Sequence, residues 1–135
     1  MIKAVLDTNI LVSAFLNPKG APAKVFDYVL NGNVIMCYDS KMITEYREVL
    51  KRPKFGFSEK DVDQLIKFIL ETGISVVPPP LQVDFIDQDD RVFYEVAIFV
   101  RGKIVTVNKK HFPEEPFIMS ANDFLAFLEE IGLTN

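Results

Sequence analysis

The sequence predicts an α/β fold, with helices covering both faces of a parallel sheet of five short strands. Three observations point there. Short apolar runs recur at about 2–6, 34–38, 74–77, 103–107 and 117–119. The segments between them space their apolar residues at the helical period. Strands that alternate with helices in this way form parallel sheets, because each crossover lays a helix on a face.

The first run, Ile2–Leu6, ends in Asp7-Thr8-Asn9 and passes straight into Ile10, Leu11 and Val12. As a central strand it delivers a carboxylate to the C-terminal edge of the sheet, where open α/β proteins place ligands. Asn17-Pro18-Lys19-Gly20 breaks the chain after a first short helix, and Asn31-Gly32-Asn33 ends a second. Over Ser40–Lys51, the residues Met42, Ile43, Tyr46, Val49 and Leu50 line one helical face.

Ser58-Glu59-Lys60-Asp61 and Ser120-Ala121-Asn122-Asp123 resemble capping boxes with Asp in the fourth place. The first opens a helix carrying Val62, Leu65, Ile66, Ile69 and Leu70. The second opens a terminal helix carrying Phe124, Leu125, Phe127 and Leu128. Pro78-Pro79-Pro80 stops the third strand, since proline donates nothing to a ladder. From Pro78 to Gln88 the chain reads as a long loop, ending in the acidic stretch Asp84–Asp90. Arg91–Phe99 then reads as a mostly buried helix.

With 135 residues and 49% hydrophobic content, the chain supports one core and is too short for two ordinary domains. No repeat or boundary interrupts it, so residues 1–135 read as one domain. No apolar run is long enough to cross a bilayer, and no secretory leader precedes the first strand. A cytoplasmic protein is expected. Cys37 is the only cysteine, so an intrachain disulfide is excluded and a buried thiol is expected. The net charge of −4 and pI of about 5.0 exclude a surface that grips duplex nucleic acid all round. Local basic clusters remain at Lys51-Arg52-Pro53-Lys54 and Lys109-Lys110-His111.

Three groups of acids carry the chemical argument. Asp7 ends the first strand, a place where Asp also serves as a helix N-cap. Glu45 lies at the margin of the apolar stripe of its helix, where an acid must reach solvent, a cation or a polar pocket. Asp87, Asp89 and Asp90 precede the buried helix; one can serve the helix dipole, but three exceed that need. Asp90 precedes Phe93 and Ala97 by helical spacing, which turns it toward the core face and leaves Asp87 or Asp89 as the cap. A parallel sheet can bring these acids to one rim, where their mutual repulsion calls for a cation. Oxygen donors without a nearby His or Cys suit Mg2+ or Mn2+ rather than zinc, and such ions support hydrolytic phosphoryl chemistry.

These pieces together resemble the PIN-domain family. The likeness rests on Leu6-Asp7-Thr8-Asn9, on Ile43–Leu50 around Glu45, on Asp87-Gln88-Asp89-Asp90, and on Val105-Thr106-Val107-Asn108-Lys109-Lys110. More narrowly the chain is similar to a prokaryotic subgroup described as toxins of toxin–antitoxin pairs, also in Arg52-Pro53-Lys54-Phe55. The resemblance runs from Ile2 to about Leu128. It implies a three-layer α/β/α sandwich and a Mg2+- or Mn2+-dependent ribonuclease acting on single-stranded RNA. It also implies a cognate antitoxin and a homodimer as partners. By resemblance Asp7, Glu45 and Asp90 match the metal-binding acids, Asp7 and Asp90 foremost. Asn9 matches the residue that orients the first acid.

One departure stands out. Relatives carry an Asp after the fourth strand, whereas this chain has Asn108, which offers an ion a neutral oxygen and no charge. Single-metal chemistry or weakened activity follows as an alternative, as does an inert module that binds RNA or protein. Asn108 and Lys109 share the rim where phosphate would approach. Lys51–Lys54 with Phe55 and Phe57 offers charge and stacking rings for single-stranded RNA, or simply packing. Met36, Met42 and Phe57 suit an interface or the core equally well. His111 reads first as a loop histidine. An aspartyl-phosphate phosphatase is a further reading, but it needs a second Asp where Asn9 stands.

Overall fold

A computed structural model describes residues 1–82 and 88–134 of the chain. The apolar runs become strands β1 Ile2–Leu6, β2 Val34–Tyr38, β3 Ile74–Ser75, β4 Lys103–Val105 and β5 Ile118–Met119. All their pairings are parallel, and the order across the sheet is β3-β2-β1-β4-β5. The chain therefore builds outward from β1 in one direction, then returns and builds in the other. That reversal opens a crevice between the C-terminal ends of β1 and β4, the place where doubly wound sheets bind ligands.

The helices are α1 Thr8–Leu16, α2 Ala21–Leu30, α3 Ser40–Leu50, α4 Glu59–Thr72, α5 Arg91–Val100 and α6 Ala121–Glu130. Both expected serine caps form: Ser58 accepts from the Asp61 amide and Ser120 from the Asp123 amide, each at 3.1 Å. Asp39 caps α3 by accepting from the Lys41 and Met42 amides at 2.8 and 3.1 Å. Such caps stabilise a helix by about 1 kcal/mol each.

The core lies where the central strands meet the apolar faces of the helices. Leu6, Ile10, Leu11, Met36, Met42, Tyr46, Phe93 and Phe124 are fully buried there. Met36 and Met42 thus belong to the core and not to an interface. At Gly73 the end of α4 drops so close to β2 that a Cβ would stand 2.6 Å from the Met36 carbonyl oxygen, so only glycine fits.

The outer strands are shorter than the apolar runs that encode them. Beyond Ser75 one further ladder bond forms, Val76 N–H to the Tyr38 carbonyl at 2.9 Å, before the prolines remove the next donors. Beyond Val105 the chain turns to a different task, described below. Gln88–Asp90 forms a 3-10 turn leading into α5. Asp90, with φ −76 and ψ −19, takes the N-cap place itself and makes no side-chain cap hydrogen bond. Asp89 lies within the turn, while Asp87, the other expected cap, lies outside the described residues. No helix among the described residues is long and apolar enough to cross a membrane.

Cys37 is fully buried in β2, and burial pushes its thiol up to about 11. The thiolate is the nucleophile, so the native thiol is doubly protected, by access and by protonation. Iodoacetamide near neutral pH is expected to label Cys37 only after denaturation, as read by mass spectrometry. Equal labelling of native and denatured protein would contradict this burial.

Candidate active site

The register of the central strands assembles the site. Leu6 is opposite Val105, so the next residues, Asp7 and Thr106, emerge side by side at the rim. The Asp7 amide donates to the Val105 carbonyl at 3.0 Å, and the Thr106 hydroxyl donates to Asp7 Oδ2 at 2.7 Å. Asp7 does occupy the N-cap place of α1, but its carboxylate makes no capping bond to that helix. Burial raises the Asp7 carboxyl above its ordinary range. The Thr106 hydroxyl, the Thr8 amide and the charge of His111 pull it back only in part. A buried carboxylate raised in this way lacks countercharge, and a cation beside it would favour its ionised form.

Glu45 reaches the same rim from α3. The Thr8 hydroxyl donates a short hydrogen bond to Glu45 Oε2. The neighbouring Tyr46 hydroxyl, fully buried, donates to the Leu6 carbonyl at 2.5 Å and pins α3 to the end of β1. Burial pushes the Tyr46 hydroxyl well up, and the nearby charges of Asp7 and Glu45 push it further.

The third approach comes from α5 and from the turn after β4. The Asn108 amide N–H donates to the Thr106 hydroxyl oxygen at 3.1 Å, and Asn108 Oδ1 accepts from the Lys110 amide at 3.2 Å. This caps the 3-10 turn Lys109–His111. Asn108 Nδ2 is 3.0 Å from His111 Nε2, while His111 Nδ1 is 3.5 Å from Asp90 Oδ2. A histidine therefore does join the acids, contrary to the expectation of a cluster without one and of a plain loop residue.

Polar contacts thus connect Asp7, Asn108 and Asp90 through Thr106 and His111, with Glu45 joined through Thr8 next to Asp7. Among the described residues, however, no three Asp, Glu, His or Cys side chains gather into a ready metal-binding group. Asp7 and Glu45 each accept a hydrogen bond from a threonine, whereas the buried Asp90 Oδ2 makes no hydrogen bond among the described residues and faces His111 Nδ1 at 3.5 Å. Their oxygen chemistry, together with the raised Asp7, suits a hard divalent cation.

The remaining candidates are placed as follows. Asn9 is exposed on the first turn of α1. Lys109 leans toward Asp123 of α6, with 3.9 Å between charges, beside an open groove of about 1010 Å3. Lys51 pairs with Asp63 at 2.9 Å and Arg52 with Glu48 at 3.8 Å. Lys54 lies over the Phe55 ring, which stacks on Phe57. The members of that basic–aromatic cluster are thus engaged with one another or with Asp63 and Glu48. A cleft of about 360 Å3 beside Glu45 runs between α3 and the start of α5, lined by Lys41, Glu48, Asp89 and Arg91.

Sequence reasoning overlooked Thr8, Thr106 and the placement of His111. Thr106 had a usable signal: it is the polar residue that interrupts the apolar run Ile104-Val105-Thr106-Val107, much as Asp7 ends the β1 run.

Sheet order, switch point and acidic rim define an α/β protein of PIN-like architecture. The family model for the PIN domain matches residues 3–110, and the chain belongs to that family, whose members are generally nucleases. An uncharacterized protein of Methanocaldococcus jannaschii is 28% identical over 112 residues, which span 80% of this chain and 72% of that protein. Among solved structures, VapBC2 from Rickettsia felis, bound to a DNA fragment from its promoter, is similar in fold. The TM-score is 0.53 at 15% identity, covering 81% of this chain and 90% of that one.

Proposed function

We propose that this protein is an endoribonuclease that hydrolyses single-stranded RNA with Mg2+ or Mn2+, and that it is the toxin of a toxin–antitoxin pair. The catalytic half is supported by one observation: Asp7, Glu45 and Asp90 stand on three different elements and are linked by contacts through Thr106, Thr8 and His111, and burial raises the Asp7 carboxyl. The toxin half rests on the sequence resemblance, with a fold neighbour named VapBC2 in support. We assign the activity to one domain spanning 1–135, acting in the cytoplasm.

Asp7, Glu45 and Asp90 are the residues that would hold the ion. When bound, it supplies Lewis-acid stabilisation of charge on the phosphodiester and eases ionisation of the attacking water. Thr106 fixes the Asp7 carboxylate and Thr8 fixes that of Glu45, so both acids are oriented before substrate arrives. Asn9, exposed on the first turn of α1, matches by resemblance the residue that helps orient the first acid, and Lys109 and Lys110 offer charge to flanking phosphates. Hydrolysis forms a bond from water oxygen to phosphorus and breaks the bond to one ribose oxygen, leaving a phosphomonoester and a free hydroxyl.

The second reading, an inert RNA- or protein-binding module, is favoured by Asn108 in place of an acid and by the spacing of the carboxylates. A labelled single-stranded oligoribonucleotide separates the two. Cleavage in Mn2+ or Mg2+ that chelator stops and that spares the matching DNA supports the nuclease. Binding without cleavage in either ion supports the module.

A further inference from the structure

We propose that Glu95 is a positioning residue for the candidate metal site: its buried carboxylate holds the chain at Leu81 and, through Arg91, at Gln88, and so fixes the turn that carries Asp90. The proposal deepens the nuclease reading and rests on it for its consequence in metal binding.

Glu95 stands on α5 within the buried run from Phe93 to Ala97. Burying a carboxylate is costly unless hydrogen bonds replace the water it gives up. Here Glu95 Oε2 accepts from the Leu81 amide at 2.7 Å and from Arg91 Nε at 3.4 Å. Arg91 Nη1 in turn donates to Gln88 Oε1 at 3.2 Å. One oxygen atom thus anchors residues on both sides of the acidic stretch.

Helix stability does not account for this arrangement. An acid four residues before a base supports a helix better than the reverse order, and here Arg91 comes first. A buried ion pair is also often no more stabilising than apolar packing of the same volume. What the pair supplies is position. Asp90 fills the N-cap place of α5 without a side-chain cap bond, so its carboxylate does not fasten the Gln88–Asp90 turn to the helix. The link from Glu95 through Arg91 to Gln88 does. Glu95, Gln88 and Asp89 also line the cleft beside Glu45, so a shift of this turn changes the separation of Asp90 from Glu45.

Amide hydrogen exchange followed by NMR reads the anchor at Leu81. That amide should exchange slowly in wild type and about tenfold or more faster in Glu95→Leu, which keeps the bulk and loses the acceptor. Glu95→Gln retains an acceptor oxygen and should keep most of the protection. Calorimetric Mn2+ titration reads the consequence. Glu95→Leu should bind about 10–100-fold more weakly than wild type, the usual effect of losing a group that orients a metal ligand. Glu95→Gln should recover most of that affinity although its charge is gone. Arg91→Ala separates position from charge. Removing a cation near the site tightens Mn2+ binding if charge alone matters, whereas losing the tie to Gln88 weakens it. Weaker binding is expected, with Leu81 still protected.

Wild-type Mn2+ affinity in Glu95→Leu overturns the proposal, as does a Glu95→Gln variant as weak as Glu95→Leu or tighter binding by Arg91→Ala. If Glu95→Leu does not fold, Arg91→Ala decides. If wild type neither binds Mn2+ nor cleaves RNA, the nuclease reading fails and the effect on the ion falls with it. A Leu81 amide that exchanges equally fast in wild type and Glu95→Leu shows instead that the anchor itself is absent.

Discussion

Asp7→Asn is expected to abolish metal-dependent RNA cleavage while leaving the fold intact. Asparagine has nearly the same shape, and its Oδ1 can still accept from the Thr106 hydroxyl. What disappears is the charge at the centre of the crevice. The loss should exceed the roughly 10–100-fold that removal of a metal's outer partner costs, because Asp7 is assigned to the ion directly. Initial rates on a single-stranded oligoribonucleotide measure it, and a variant that cuts as fast as wild type would remove Asp7 from the chemistry.

The same substitution should stabilise the metal-free protein near neutral pH. Burial raises the folded-state Asp7 carboxyl above its ordinary 3.8. Between 3.8 and the raised value the native state binds more protons than the unfolded chain, so stability falls as pH rises through that window. Above it the deficit persists in full; below 3.8 both states are protonated and it vanishes. The neutral amide of the variant carries no such deficit. Urea midpoints of variant and wild type should therefore converge in strong acid and separate as pH rises. Excess Mn2+ should reverse the order by stabilising only wild type, by about 2.7 kcal/mol at a hundredfold excess over Kd.

The second large effect concerns the scaffold. Phe93→Ala should destabilise the fold by about 3–5 kcal/mol, a large share of the roughly 5–15 kcal/mol that holds an ordinary domain together. Phe93 is fully buried on α5, with its ring centroid 6.2 Å from that of Tyr46 on α3. These helices carry or adjoin Asp90 and Glu45, so the cavity also loosens the spacing of the acids. Phe99→Ala, on the half-exposed face of the same helix, is the control and should change stability by no more than about 0.5 kcal/mol. Similar urea midpoints for the two variants would show that the α3–α5 contact does not hold the site.

The centre of the fold was legible in the sequence and its edges less so. β1 and β2 match their apolar runs residue for residue, because a strand buried on both faces leaves little choice of boundary. β3 and β5 shrink to two residues each, since an edge strand is limited by its single partner and by nearby proline. Asp7 and Glu45 could be picked out because each breaks an apolar pattern. Asn108 could be named, but its role could not, because the role depends on a turn that swings His111 back toward Asp90. No cap was read for α3 in the sequence, because Asp39 and Ser40 stand side by side and are equally good capping types. Asp87 lies outside the described residues.

The bond between Thr106 and Asp7 joins residues 99 positions apart in a chain of 135. A ribosome must therefore have released the chain at least through Thr106 before that residue can close on Asp7. Folding of this kind is slow relative to local helix formation, because distant strands must find each other first. On the proposed ribonuclease reading, a chain truncated before β4 is predicted to leave a single-stranded oligoribonucleotide uncut.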